Sequence, residues 1–273
     1  MTVAEKSLGA TAAELLERIH QRHPLIHHMT NWVVMNDTAN VTLALGALPV
    51  MSHAKEEVAE MVGAAGALVL NPGTLYPDLV DAMVIAGKRA NELGVPVVYD
   101  PVGVGATRYR NETADRFMKE LRLDVVRGNS GEIGALAGAG GVVKGVESVE
   151  GVADPVSVAR ELAARRNTVV AITGKRDIIS DGERVLGVDN GHVMLKTITG
   201  TGCMATTMIA MFCAVEPDRL VATAAALATY GIAAQNAARG VRGPGSFRAA
   251  LIDCLYNLKP ADVTRGALIV RIA

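Results

Sequence analysis

Cysteine is scarce in this chain. Cys203, Cys213 and Cys254 are its three thiols among 273 residues. Their odd number and the lack of any Cys-x-x-Cys spacing suggest neither a disulfide framework nor a zinc site. An excess of charge of either sign is missing too: 27 basic residues face 28 acidic ones, for a net charge of -1. That balance provides no general attraction for nucleic acid or anionic lipid, so the expected partner is a small molecule. The opening MTVAEKSLGATAAELLERIH lacks a basic stretch followed by a continuous apolar one, and does not read as a signal peptide. The run from Leu220 to Ala238 carries no charge, but it is mostly Ala and Thr with Gln235 and Asn236 inside. It reads as a helix within a large core rather than a membrane span. The chain is expected to be cytoplasmic.

Hydrophobic residues make up 50% of the sequence, enough for a substantial core. They fall into short β-rich runs, LPVM (48–51), ALVLN (67–71), VPVVYD (95–100), LDVVRGN (123–129) and TVVAITG (168–174). Helical patterns such as 56–65, 76–93 and 154–167 separate them. Near-continuous apolar strands alternating with helices predict a parallel sheet covered on both faces. Residues 178–197 break the rhythm with two short strands around Asp189-Asn190-Gly191, a hairpin signal that predicts an antiparallel edge. Two nearly charge-free helices are expected at 203–214 and 217–239, with Pro217 at the start of the second and Gly240 past its end. One more helix and a strand are expected in the tail. The Gly-rich stretch 134–151 reads as an irregular connection, and 1–273 as a single domain.

In open parallel sheets ligands gather beyond the carboxyl ends of the strands. The strand ends here carry Asn71, Asp100, Arg127-Gly128-Asn129 and Thr173-Gly174, with Glu132 one turn beyond Arg127. Arginine offers forked donors to phosphate oxygens, and carboxylates hold Mg²⁺ directly or through water. Each residue also has an ordinary alternative: Asp100-Pro101 as a turn, Arg127 as an ion-pair partner, Thr173-Gly174 as a strand exit. The turn Thr199-Gly200-Thr201-Gly202 before an apolar helix adds free backbone N–H groups and a helix dipole, a seat for phosphate. It is not a Walker A loop, since no Gly-Lys-Ser/Thr follows. It does fit Gly-x-Gly-x-x-Ala, but without the strand before it and the acid after it that a dinucleotide site needs. The segment 24–51, with adjacent His27 and His28, Asn31, Met35 and Met51, suits either an uncharged heterocycle or plain core.

The segments HHMTNWVVMNDTAN, LGALPVMSHAKEE, GALVLNPGTL, VPVVYDPVGVGAT, RGNSGEI, VAITG, TGTGC, FCAVE and GPGSF, in this order, resemble hydroxyethylthiazole kinases of the ribokinase-like superfamily over almost the whole chain. The resemblance implies a three-layer α/β fold, with a mostly parallel sheet, helices on both faces and a small antiparallel edge. It implies transfer of the ATP γ-phosphoryl group to the primary alcohol of 4-methyl-5-(2-hydroxyethyl)thiazole, for thiamine synthesis. Arg127 and Thr173 would then contact ATP, and Asp100 and Glu132 would organise Mg²⁺. Met51, Gly200 and Asn31 would meet the thiazole, and Gly200, Thr201 and Gly202 would form the anion hole. Cys203 stands where wider relatives place the aspartate that takes the proton of the attacking hydroxyl. A helix N-terminus would lower its pKa while phosphate charge would raise it, leaving its protonation open. A homotrimer with active sites between subunits is implied as well. Two other classes share the features: a nucleotide-dependent dehydratase acting on hydrated NAD(P)H, and a nucleotide-binding module without turnover.

Overall fold

Successive apolar residues of each central strand point to opposite faces of one sheet, so a continuous hydrophobic run supplies two cores at once. In β3 (Ala67–Leu70), Ala67 and Val69 join one core and Leu68 and Leu70 the other. The computed structural model describes residues 7–138, 142–144, 147–150 and 152–273. In chain order, α1 (Leu8–Arg22), β1 (Leu25–Met29), α2 (Met35–Ala44), β2 (Leu48–Val50) and α3 (Val58–Ala64) precede β3. There follow α4 (Pro77–Leu93), β4 (Val97–Tyr99), α5 (Arg108–Glu120), β5 (Val125–Asn129) and α6 (Ser130–Ala137). Next come a small separate pair, β6 (Val142–Lys144) and β7 (Glu147–Glu150), then α7 (Pro155–Arg166), β8 (Val169–Thr173), β9 (Asp177–Ser180) and β10 (Val185–Val188). The chain closes with α8 (Thr201–Cys213), α9 (Arg219–Ala237), α10 (Pro244–Asn257), α11 (Pro260–Gly266) and β11 (Ile269–Arg271).

The main sheet runs β11-β10-β9-β8-β5-β4-β3-β1-β2. From β2 to β8 the neighbours are parallel, while β9, β10 and β11 pair antiparallel at one edge. One face is covered by α1, α2, α8, α9, α10 and α11, the other by α3, α4, α5, α6 and α7. The three-layer α/β arrangement and its antiparallel edge are as expected from the sequence. From Met204 to Cys213, α8 is buried throughout, lodged between α9, α2 and the strands β3 and β4. That all-round packing explains its lack of charge. Among the described residues no helix is long and apolar enough to cross a membrane.

Four sequence expectations need correction, the first in the tail, where two helices, α10 and α11, stand in place of the single one expected. The edge hairpin turns at Asp181-Gly182, where Gly182 adopts φ +99° and Asp181 accepts the N–H groups of Glu183 and Arg184. Asp189-Asn190-Gly191 instead leaves the sheet, and Asn190 stitches the chain to α9 and α11 through Gln235, Gly266 and Leu268. Both Asx-Gly steps suit a turn, and register decided between them. The stretch 134–151 is partly regular, since it contains the end of α6 and the β6–β7 pair; residues 139–141, 145, 146 and 151 lie outside the described residues. Finally, α9 begins after Pro217: Asp218 is its cap, accepting the N–H groups of Leu220 and Val221.

Candidate active site

Most of the polar residues expected at the strand ends meet at the carboxyl edge of the sheet. Asp100 follows β4 directly and is 1% exposed. Its Oδ2 accepts the Asn71 Nδ2–H (3.1 Å) and the Thr206 hydroxyl (2.8 Å), and lies 3.8 Å from Arg127 Nη1. Its Oδ1 is buried with no partner. Burial raises the Asp100 pKa, against the opposing charge of Arg127 and the bonds from Thr206 and Cys203. Glu132 sits in the first turn of α6, whose start is a reciprocal capping box with Asn129. One Glu132 oxygen accepts the Asn129 N–H and the other the Gly103 N–H, each at 2.9 Å. Burial, and after it the charge of Asp100, push the Glu132 pKa up to about 7. A buried carboxyl pair of this kind, with an unused oxygen on Asp100, suits a divalent cation.

Arg127 lies at the centre. Its Nη2 donates to the Thr173 hydroxyl at 2.6 Å, and the same hydroxyl donates to the Gly128 carbonyl at 3.3 Å. A β-carbon at Gly202 would stand 2.7 Å from Arg127 Nη1, so a glycine there admits the guanidinium against the first turn of α8. Gly200 is glycine for another reason: its φ is +84°, and a β-carbon would meet Val34 at 2.7 Å. The turn ends as Met204 N–H bonds back to the Gly200 carbonyl at 2.8 Å. The amides of Thr201, Gly202 and Cys203 precede the helix's own ladder and present donors at the positive end of its dipole. Thr201 also anchors the turn through its hydroxyl, 2.7 Å from the Leu195 carbonyl, and through its carbonyl, which accepts the Tyr230 hydroxyl at 3.2 Å.

Cys203 is next to this turn. Asn31 Nδ2 reaches its sulfur at 3.7 Å and Asn71 Oδ1 at 2.9 Å, joining the thiol to the Asp100 cluster through two amides. Burial first, then the charge of Asp100, push the Cys203 pKa up to about 12. The bonds from Asn71 and Asn31 and the charge of Arg127, which lower it, are outweighed by desolvation, a direction that favours the protonated thiol. Asn31, 4% exposed, lies beyond the end of β1 and its Oδ1 accepts the Val33 N–H. Met51, partly buried, follows β2 at the sheet's parallel edge, two strands from β3. His27 and His28 are fully buried in β1 and bond to the Ser52 carbonyl and the Thr42 hydroxyl, so they belong to the interior. Burial lowers the pKa of His28 to about 3.

Asn71 and Thr206 proved more central than their sequence setting indicated. Asn71 was legible as a strand end. Thr206 resembled any threonine bonding back along an apolar helix, and it does also reach the Gly202 carbonyl at 3.3 Å.

A helix start with free amides, an arginine and a buried acid pair beyond a parallel sheet suit a phosphoryl-transfer enzyme of the ribokinase-like fold. A Bacillus subtilis pyridoxal kinase in complex with ADP has that fold, with a TM-score of 0.60 at 16% identity over 78% of this chain and 92% of its own. The chain belongs to the hydroxyethylthiazole kinase family, whose sequence profile matches residues 16–261. It is 65% identical to the hydroxyethylthiazole kinase of Desulforudis audaxviator over 100% of this chain and 99% of the relative. The corresponding values for the Chloroflexus aggregans enzyme are 61%, 96% and 94%. A hydroxyethylthiazole kinase structure from Pyrococcus horikoshii superposes with a TM-score of 0.89 at 43% identity, covering 96% of this chain and 99% of its own. These matches do not favour the dehydratase reading.

Proposed function

We propose that this kinase transfers the γ-phosphoryl group of ATP to the primary hydroxyl of 4-methyl-5-(2-hydroxyethyl)thiazole, giving the phosphate used in thiamine synthesis. Family membership supplies the substrate. The observation that carries the site is Arg127, held between Asp100, Thr173 and the Gly202 turn. In this reading the amides of the 200–203 turn cradle the migrating phosphoryl group. Arg127 and Thr173 meet the nucleotide phosphates, while Asn31, Met51 and Gly200 face the thiazole.

Asp100 and Glu132 would hold Mg²⁺ here, directly or through water, and the cation would supply neutralisation of phosphate charge. Asp100 and Glu132, both buried, offer the one or two carboxylates that such a cation takes before completing its shell with phosphate and water. Asp100 Oδ1 is the oxygen free for it, whereas both Glu132 oxygens are engaged by amides, favouring contact through water. Incubation with Mg-ATP and a panel of small alcohols tests the reading. Phosphorylated hydroxyethylthiazole is the expected product by mass, and its absence under turnover of another alcohol would refute the assignment.

Cys203 carries its proton at rest and acts by orienting the attacking hydroxyl. Loose phosphoryl transfer needs little help from a base, because it gains mostly from positioning and charge neutralisation. The Cys203→Asp variant is therefore expected to keep or raise kcat. Cys203→Ala should lose less than the roughly 10²-fold typical of removing a full general base. With the thiol near 12, the parent rate should show no thiolate limb between about pH 7 and 9. Cys203→Ala and Cys203→Asp both turning over at the parent rate would remove the role assigned to the thiol, in orientation and in proton transfer alike.

We read residues 1–273 as one cytoplasmic domain that assembles as a homotrimer. Trp32 (63% exposed), Val33 (60%), Leu43 (53%) and Leu48 (47%) leave large apolar side chains along the α2–β2 edge, beside the proposed thiazole residues. Such a surface suits coverage by a neighbouring subunit. Sedimentation showing a stable monomer at catalytic concentrations would refute that assembly.

A further inference from the structure

Arg110 stands in the first turn of α5, three residues past the end of the VPVVYDPVGVGAT segment and outside every motif above, and it reaches the two loops that frame the acid pair. Its Nη1 donates to the carbonyls of Val102 (2.7 Å) and Pro72 (3.3 Å), and its Nη2 to that of Gly73 (2.8 Å). Among the described residues no carboxylate lies within ion-pair distance of it. A half-buried cation committed to three carbonyls is an expensive way to gain stability alone, because desolvation is only partly returned by neutral acceptors. Burial does lower its pKa, with the charges of Glu132 and Tyr99 opposing.

The two loops have distinct tasks. The one after β3 carries Asn71, which donates to Asp100 and accepts from Asn31 and from Gly73 N–H. It also carries Thr74, whose hydroxyl accepts the Trp32 N–H. The loop after β4 begins at Asp100 itself. It turns through Val102 N–H to the Asp100 carbonyl at 2.8 Å, and its Gly103 N–H holds Glu132. Its far end is tied back to α5, where Asn111 accepts the Gly105 N–H at 2.7 Å. One guanidinium therefore joins the strand-end loop that donates to Asp100 with the loop that contains Asp100 and grips Glu132. The planar fork of arginine can span such separated acceptors; the single ammonium of lysine cannot hold all three.

We propose that Arg110 is a positioning residue that locks the loops 71–74 and 100–105 together and so sets the geometry in which Asp100 and Glu132 receive the divalent cation. The proposal rests on the kinase reading of this site. Outer partners that hold metal ligands in place are typically worth about 10–100-fold in metal affinity. Accordingly, Arg110→Ala should weaken Mn²⁺ binding in the presence of ADP, followed by electron paramagnetic resonance, by about tenfold or more. The Mg²⁺ concentration for half-maximal activity should rise in parallel, while KM for the thiazole stays within about twofold of the parent. Added guanidinium should restore part of the Mn²⁺ affinity in the alanine variant. Arg110→Lys, which keeps the charge and is less exposed to misfolding, should show the same selective loss in milder form. Folded variants with parental Mn²⁺ binding and Mg²⁺ requirement would overturn the proposal, as would equal losses in cation and thiazole parameters. If the alanine variant does not fold, the lysine variant alone decides on those criteria. Failure of the parent itself to phosphorylate any alcohol while binding Mn²⁺ and ADP would count against the kinase reading instead, leaving the comparison of Mn²⁺ affinities still decisive for Arg110.

Discussion

Replacement of Arg127 by alanine is expected to lower kcat by about 10²–10³-fold, the range for deleting one preorganised donor to developing charge. The size follows from how many parts of the site the guanidinium contacts. It donates to Thr173 at 2.6 Å, faces Asp100 at 3.8 Å, and fills the space left by the missing side chain of Gly202. Alanine would remove the phosphate partner and expose Asp100 to a deeper imbalance of negative charge. Lysine is expected to recover only a minor part of the rate, since its point charge cannot serve Thr173 and a phosphate oxygen with one planar fork. Steady-state kinetics at saturating Mg-ATP, with circular dichroism as a folding control, measure the effect. A loss below about threefold in a folded Arg127→Ala protein would contradict the electrostatic role assigned to this guanidinium.

Asp100→Ala is expected to be as severe, by a different route. A loss of roughly 3 kcal/mol or more of cation-mediated charge stabilisation corresponds to about 10²-fold or more in rate. Alanine would also strand the Asn71 amide and the Thr206 hydroxyl, both of which aim at Asp100 Oδ2. Asp100→Asn separates the two effects, because its carbonyl can still accept from both neighbours while the charge is gone. Both variants should lose Mn²⁺ binding in the presence of ADP, and the asparagine variant should keep the parental unfolding temperature within a few degrees. Asparagine at this position with near-parental kcat would show that a carboxylate is not needed there.

Much of this arrangement was legible in the residues because parallel strands end where ligands bind. Asn71, Asp100, Arg127 and Thr173 were each visible at the end of an apolar run, and the structure brings all four together. Cys203 and the glycine turn were marked by an apolar helix that starts without charge. The interior placement of β1 was harder to see, since LIHHM carries two histidines whose burial depends on Ser52 and Thr42, far along the chain. Thr206 was invisible for a related reason: its partner, Asp100, is 106 positions away, and its local bond to Gly202 already explains a threonine there. Arg110 lay in RYRNE, a stretch that reads as solvated helix until the loops after β3 and β4 are folded against it. The mistaken hairpin position shows the same limit, for local turn chemistry proposes sites that only strand register can select.

The bond from Thr206 to Asp100 ties the acid proposed to hold the cation to the helix whose first amides are proposed to seat the phosphate. Any small slide of that helix along its axis would carry acid and amides in step, so the spacing between metal and phosphorus is buffered against breathing of the scaffold. Adaptation to a bulkier alcohol would then be easier through the outer wall around Met51 than through the phosphate seat, whose parts cannot be adjusted one at a time.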